Sequence, residues 1–117
     1  MNILYVEDDP NDAELVALYA RTTQHNLVVI AHSREVPSAL ADNPELILID
    51  LVLDHAREGY TIARNLREQG YTQPIIAVTA LATPNDQAEC SSAGFTDILI
   101  KPYTISQLAQ VISQYTK

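Results

Sequence analysis

Five short apolar runs, separated by segments with helical spacing, organise the chain. The runs cover residues 3–6, 27–31, 46–49, 75–78 and 98–100. Each run is continuous rather than alternating, which is typical of strands that are covered on both faces, as in a parallel sheet between two layers of helices. The pattern therefore predicts five buried parallel strands.

The segments between these runs carry the start and stop signals of helices. Four residues that can cap a helix mark the starts: Asp9, Ser33, Thr83 and Thr104. A proline follows two of them, Asp9 and Thr83. Gln107 gives the last of these the spacing of a capping box. A third helix is expected over about residues 60–66, ending toward Gly70. On its buried side we expect the first helix to carry Leu15, Val16, Leu18 and Tyr19.

Strands that alternate with helices form parallel sheets through right-handed crossovers. We predict an α/β fold, a doubly wound five-stranded parallel sheet of order 2-1-3-4-5 flanked by five helices, which is the flavodoxin-like arrangement. The 117 residues allow one domain, residues 1–117, with no output domain, because the last helix uses the C-terminal stretch. Met1 stands directly before the first strand, which favours a free-standing protein.

The charge balance and the cysteine count exclude several classes of function. Asp and Glu number 15 against 7 Lys and Arg, so the net charge is −8, and a nucleic-acid backbone would repel most of this surface. No apolar run approaches the ~20 residues of a membrane span. The single cysteine, Cys90, cannot form an internal disulfide, and the N-terminus lacks the layout of a secretory signal. We therefore expect a cytoplasmic protein without nucleic-acid or membrane partners.

Polar side chains follow the apolar runs at four of the predicted strand ends. Glu7 and Asp8 follow the first run, Asp50 the third, Thr79 the fourth and Lys101 the fifth. In a sheet of order 2-1-3-4-5, ligands bind beyond the carboxyl ends of strands one and three, where the order reverses. We therefore expect these side chains to meet at one edge of the sheet.

Three of these side chains are carboxylates, which repel one another unless a cation lies among them. Oxygen ligands of this kind suit Mg²⁺. Asp50 can then act as a nucleophile toward phosphorus, with Lys101 neutralising the phosphoryl oxygens and the Thr79 hydroxyl donating to one of them. The residues predict an Mg²⁺-assisted phosphoryl-transfer site.

Other acids and the histidines carry weaker signals. An acidic run at the start of a helix usually caps it and compensates its dipole. We interpret Asp9, Asp12 and Glu14 in this way. The histidines lack the spacing of metal ligands and are given no role: His25, His32 and His55.

Taken together, these motifs resemble the receiver domain of bacterial two-component response regulators. The resemblance covers essentially the whole chain and rests on residues 3–10, 46–53, 78–80 and 93–97, the last leading into 99–102. It implies that Asp50 is the phosphoacceptor, Thr79 the switch hydroxyl and Lys101 the phosphate cation, with the Lys101–Pro102 bond cis. The metal ligands that it implies are Glu7 through water, Asp8, Asp50 and the backbone of Val52.

The chain departs from the family pattern in three places. Ile98 stands where the family usually has the aromatic residue that moves inward with the threonine, and Tyr103 is a nearby ring without a demonstrated role. Asp54 replaces a proline four residues past the acceptor. The spacing from Asp50 to Gly59 is one residue longer than usual, which predicts a longer, more acidic loop.

The resemblance implies a signalling switch rather than a turnover enzyme. Asp50 would accept a phosphoryl group from a phosphohistidine of a histidine kinase or histidine phosphotransfer protein, and the change would reach a downstream protein through the fourth helix, fifth strand and fifth helix. We expect a monomer or a weak dimer. A small phosphatase of the haloacid dehalogenase type is disfavoured, since Val52 stands where its general acid belongs. The alternative is a phosphorylation-independent interaction module of receiver fold.

Overall fold

The computed structural model describes residues 1–53, 57–80 and 83–115, and its core is a five-stranded parallel sheet. The strand order is β2-β1-β3-β4-β5, which confirms the predicted doubly wound topology. The strands are β1 Asn2–Val6, β2 Asn26–Ile30, β3 Leu46–Asp50, β4 Ile75–Thr79 and β5 Asp97–Ile100.

Helices cover both faces of the sheet, as predicted. They are α1 Pro10–Thr23, α2 Val36–Ala39, α3 Glu58–Glu68, α4 Pro84–Ala93 and α5 Ile105–Gln114. The second helix is only four residues long, and the 3₁₀ turns Ser33–Glu35 and Leu40–Asp42 extend it on both sides. Within the described residues, no helix combines the length and the apolar composition of a membrane span.

The sheet separates two apolar layers because successive side chains of a strand point to opposite faces. One layer joins β1, β3 and β4 to α2, α3 and α4, with Tyr60 and Leu66 fully buried. The other joins the opposite faces of these strands to α1 and α5, with Val16 and Leu108 at 0 % exposure. The central strands are therefore held from both sides, which fixes where their carboxyl ends lie.

Three of the predicted helix caps are confirmed. The Asp9 carboxylate accepts from the backbone N–H of Asn11 at 2.9 Å. Thr83 and Thr104 each form a reciprocal capping box, the first with Asp86 and the second with Gln107. The Lys101–Pro102 peptide bond is cis, as the resemblance implied.

Three expectations about the periphery of the fold were wrong. Ser33 lies inside the first 3₁₀ turn and donates to Glu58 at 3.4 Å instead of capping a helix. Leu18 is 42 % exposed rather than buried, and β2 exposes Val28 and Val29. β2 is an edge strand beside a very short helix, so it is not covered on both faces. Its apolar run therefore predicted a strand correctly but not how deeply that strand is buried.

Candidate functional site

The carboxyl ends of four strands meet in one acidic cleft. The register of β1 and β3 pairs Val6 with Ile49, so Glu7, directly after β1, lies beside Asp50 at the end of β3. The cleft has a volume of about 570 Å³. Every residue predicted for the site lines it: Glu7, Asp8, Asp50, Val52, Thr79 and Lys101. The structure therefore brings the predicted site residues together at one edge of the sheet.

Glu7, Asp8 and Asp50 form a compact group of carboxylates. Each offers one oxygen, and these oxygens all lie within 4.8 Å of one another. Glu7 and Asp50 are buried, at 2 % and 8 % exposure, whereas Asp8 is the most exposed of the three. Two carboxylates are thus held away from water while the third faces the opening of the cleft.

Burial and repulsion make the charged form of Glu7 costly. Desolvation raises the pKa of Glu7 from 4.5 to about 9, and the adjacent Asp50 carboxylate adds to this shift. The Glu7 Oε2 atom is buried and makes no hydrogen bond to the described residues. A buried oxygen without a partner is unfavourable unless a ligand completes the site.

These donors fit a hard divalent cation. The group consists only of carboxylate oxygens, and Glu7 contributes to it while its Oε2 has no hydrogen-bond partner among the described residues. Mg²⁺ is bound by one or two carboxylates with its remaining positions filled by water or phosphate oxygens. A divalent cation bound there would neutralise the carboxylate charges of the cleft.

Lys101 is the cation of the cleft and contacts three acids. Its Nζ lies 2.8 Å from Asp12 Oδ2, 3.2 Å from Asp50 Oδ2 and 3.4 Å from Glu7 Oε1. Burial works to lower the pKa of Lys101, but the hydrogen bond to Asp12 and the charges of Asp50 and Glu7 outweigh it and raise the pKa above its ordinary value. Lys101 is therefore positively charged at neutral pH.

Backbone hydrogen bonds position the remaining groups of the cleft. The Lys101 N–H donates to the carbonyl oxygen of Thr79 at 2.8 Å, which ties the end of β5 to the end of β4. Thr79 is 2 % exposed. The Val52 N–H donates to Asp50 Oδ1 at 3.1 Å and orients that carboxylate.

Gly59 allows α3 to begin directly against the end of β3. A Cβ at this position would lie 2.4 Å from the carbonyl oxygen of Asp50 and 2.6 Å from the Cα of Leu51. Both neighbours are backbone atoms, which cannot move aside cheaply, so any larger residue would displace the strand end that carries Asp50. The position was noted in the sequence only for its spacing, and the close approach is visible only in the structure.

Asp12 belongs to the cleft, contrary to its interpretation as a dipole-compensating acid. It lies on the first turn of α1 and makes the shortest contact to Lys101. Its position four residues after Asp8 is compatible with facing the same edge. However, that spacing does not distinguish a site residue from a helix-start acid, so the sequence held no decisive signal.

Ile98 and Tyr103 lie in opposite layers. Ile98 is partly buried against the layer formed with α3 and α4, whereas Tyr103 packs against the layer formed with α1 and α5. Tyr103 therefore does not occupy the space of the aromatic residue that the family has at Ile98. The expectation about Asp54 falls outside the described residues.

The comparisons with known proteins agree with this geometry. The sequence profile of the response regulator receiver domain matches residues 3–113. An uncharacterised 14.6 kDa protein of Leptolyngbya boryana is 30 % identical over 98 % of this chain and 89 % of its own length. The sensor histidine kinase RcsC of Salmonella typhi is 26 % identical over the whole chain, which spans only 12 % of that kinase.

Among solved structures, the receiver domain of the sensor histidine kinase PA1611 from Pseudomonas aeruginosa PAO1 has a TM-score of 0.84 and 31 % identity, over 97 % of this chain and 95 % of that one. That structure has a magnesium ion coordinated in its active-site cleft. The profile match extends over nearly all of the chain, and the fold and the acidic cleft agree with it. The chain therefore belongs to the response regulator receiver domain family.

Proposed function

We propose that this chain is a phosphoacceptor receiver of a two-component phosphorelay, in which Asp50 accepts a phosphoryl group. The observation that carries the proposal is the position of the Asp50 carboxylate. It lies 3.2 Å from Lys101 Nζ and within 4.8 Å of one oxygen each of Glu7 and Asp8. A buried nucleophile between a fixed cation and an oxygen-only metal site is the arrangement that phosphoryl transfer requires.

The reaction would proceed by direct displacement at phosphorus. A carboxylate oxygen of Asp50 forms a bond to phosphorus, and the bond from phosphorus to the imidazole nitrogen of the donor histidine breaks, leaving its electron pair on that nitrogen. Lys101 would donate to a phosphoryl oxygen, and Thr79, at the adjacent strand end, would donate its hydroxyl to another. Glu7, Asp8, Asp50 and the Val52 backbone would hold Mg²⁺.

The partners follow from the family to which the chain belongs. The donor is a histidine kinase or histidine phosphotransfer protein, and the response is read by a protein that binds the face formed by α4, β5 and α5. Ile100 and Ile105 give this face exposed apolar surface, at 48 % and 40 % exposure. The net charge of −8 disfavours a nucleic-acid partner.

Labelling with a small-molecule phosphodonor tests the proposal. Incubation with acetyl phosphate and Mg²⁺ should add the mass of one phosphoryl group to the wild-type protein, and chelation of Mg²⁺ should prevent the addition. Asp50→Asn should remain unlabelled, because an amide oxygen is not a nucleophile toward phosphorus.

The matched control is Asp42→Asn, which changes an exposed acid away from the cleft and should be labelled as fully as the wild type. Equal labelling of the Asp50→Asn variant would refute the role of Asp50. If the wild type takes up no phosphoryl group but still binds its partner protein, the phosphorylation-independent interaction module is the correct function.

A further inference from the structure

Lys101 is held most closely by Asp12, a residue outside the proposed metal group. The Nζ–Oδ2 distance to Asp12 is 2.8 Å, against 3.2 Å to Asp50 and 3.4 Å to Glu7. A lysine ammonium has three N–H donors, so the three acids can use all of them. Any phosphoryl oxygen that Lys101 is to bind must replace one of these acceptors.

Asp50 and Glu7 are the acceptors that give way when the site is loaded. Both belong to the group of oxygens with metal-binding geometry, and a cation bound there would neutralise the charges that attract Lys101. A phosphoryl group on Asp50 would in addition replace a carboxylate oxygen by phosphoryl oxygens. Asp12 lies outside that group, so its hold on Lys101 persists in the loaded state.

The lysine needs such an anchor because its four-carbon side chain has many rotamers, and ordering it costs conformational free energy. Asp12 is well placed to supply the anchor. Its backbone is fixed in the first turn of α1, which the Asp9 cap and Pro10 begin. Its side chain is 41 % exposed against 18 % for Lys101, so it contacts the ammonium from the solvent side.

We propose that Asp12 is a positioning residue that holds the Lys101 ammonium over the cleft so that it meets an incoming phosphoryl group. This role rests on the proposed phosphoacceptor function. It adds to the site a residue of α1 that is neither at a strand end nor one of the three metal-binding carboxylates. Asp12 acts through Lys101, because it is not among the carboxylates that offer the metal a ligand atom.

Two opposite effects make the role testable by its sign. Removing a negative charge near an anion site should by itself strengthen anion binding. Loss of the lysine anchor should weaken it. We expect Asp12→Asn to weaken the binding of beryllofluoride, in saturating Mg²⁺, by about three- to tenfold, the range of one partly exposed charge-assisted hydrogen bond.

The affinity for Mg²⁺ alone separates positioning from damage to the cleft. It should fall in Asp12→Asn by less than the beryllofluoride affinity falls, because Asp12 lies near the metal group but offers it no ligand atom. In the Mg²⁺-bound state without beryllofluoride, the side-chain NMR resonance of Lys101 should shift and narrow in Asp12→Asn compared with the wild type, because the ammonium gains rotational freedom. Asp12→Glu, which restores a carboxylate, should recover part of the lost beryllofluoride affinity.

Glu14→Gln is the matched control, since it removes an exposed charge from the same helix and should leave all three measurements unchanged. Equal or tighter beryllofluoride binding by Asp12→Asn would overturn the positioning role while the proposed function stands. Failure of the wild-type protein to bind beryllofluoride would instead overturn the proposed function, and the role of Asp12 with it.

Discussion

Two partly buried cations stand at opposite ends of the sheet, and their surroundings differ. Arg67, on α3, lies beside the amino ends of β4 and β5, and its hydrogen bonds go to neutral acceptors. They are the carbonyl oxygens of Gly94 at 2.9 Å, Tyr71 at 2.8 Å and Gln73 at 2.9 Å, and the Thr96 hydroxyl at 3.3 Å. Lys101, at the carboxyl end of β5, is surrounded by three carboxylates.

The difference lies in what each cluster still needs. The planar guanidinium of Arg67 matches acceptors that the backbone holds in place, so the cluster is complete and can only hold α3 to the sheet. Around Lys101 the acids outnumber the base, and Glu7 Oε2 is buried without a hydrogen-bond partner among the described residues. A structural cluster is satisfied by the protein itself, whereas a binding site leaves charge to be satisfied by its ligand.

Replacing the structural cation should have the largest effect on stability. We expect Arg67→Lys to lower the free energy of unfolding by about 2 to 4 kcal/mol, because a single ammonium cannot reach four acceptors and leaves part-buried carbonyls unpaired. Urea denaturation measures the loss. Arg64→Lys, on the same helix, changes a side chain that is 47 % exposed and should be nearly neutral. A loss below about 1 kcal/mol for Arg67→Lys would remove the contrast between the two clusters.

The site cluster should respond instead to pH and to Mg²⁺. Because folding raises the pKa of Glu7 from 4.5 to about 9, the folded state keeps a proton that the unfolded state has lost. The Glu7 contribution to stability is therefore full below pH 4.5 and is lost as the pH rises toward 9. Mg²⁺ at ten times its Kd should add about 1.4 kcal/mol, and its apparent affinity should rise across the same pH range.

Thermal unfolding of wild type and Glu7→Gln, with and without Mg²⁺, checks this second prediction. The stability of Glu7→Gln should not fall as the pH rises from 4.5 toward 9, because an amide does not titrate. Glu14→Gln should keep the wild-type profile. If Glu7→Gln and the wild type show the same pH dependence, Glu7 is not the group that stores the proton.

The smallest effect is expected at a third cation, which is exposed. Arg57 is 54 % exposed and pairs with Asp86 at 3.5 Å and Glu89 at 3.4 Å. We expect Arg57→Ala to lower the free energy of unfolding by about 1 kcal/mol or less, and the difference to shrink in 1 M salt, because water and ions screen such pairs. A salt-independent loss as large as that of Arg67→Lys would show that exposure does not order these three cations.

Most of the topology could be predicted from the sequence, because it depends on local signals. Continuous apolar runs marked the strands, and the caps at Asp9, Thr83 and Thr104 marked three helix starts. The extent to which helices bury β2 could not be predicted, since it depends on the length of α2 and on the edge position of the strand. Both are properties of the assembled sheet, and the exposure of Val28 and Val29 is their result.

In the candidate site, strand ends proved more informative than composition. Glu7, Asp50, Thr79 and Lys101 converge because the carboxyl ends of parallel strands meet at one edge, and that rule can be applied to a bare sequence. The close approach of Gly59 to the Asp50 backbone and the contact of Asp12 with Lys101 follow no such rule. The contact of Asp12 with Lys101 joins residues 89 positions apart, and it depends on how α1 packs against the sheet.

The sequence by itself determined which chemical groups stand at the end of each strand, because the strand pattern and the polar residue that follows it are read along the chain. Only the tertiary structure decided how those groups share charge. It buried Glu7 and raised its pKa, and it gave Lys101 three acceptors. It also placed Asp12 in the site, although the sequence had suggested only a helix-start acid. Electrostatic interactions depend on distance and on exclusion of water, and both are set when the layers pack together.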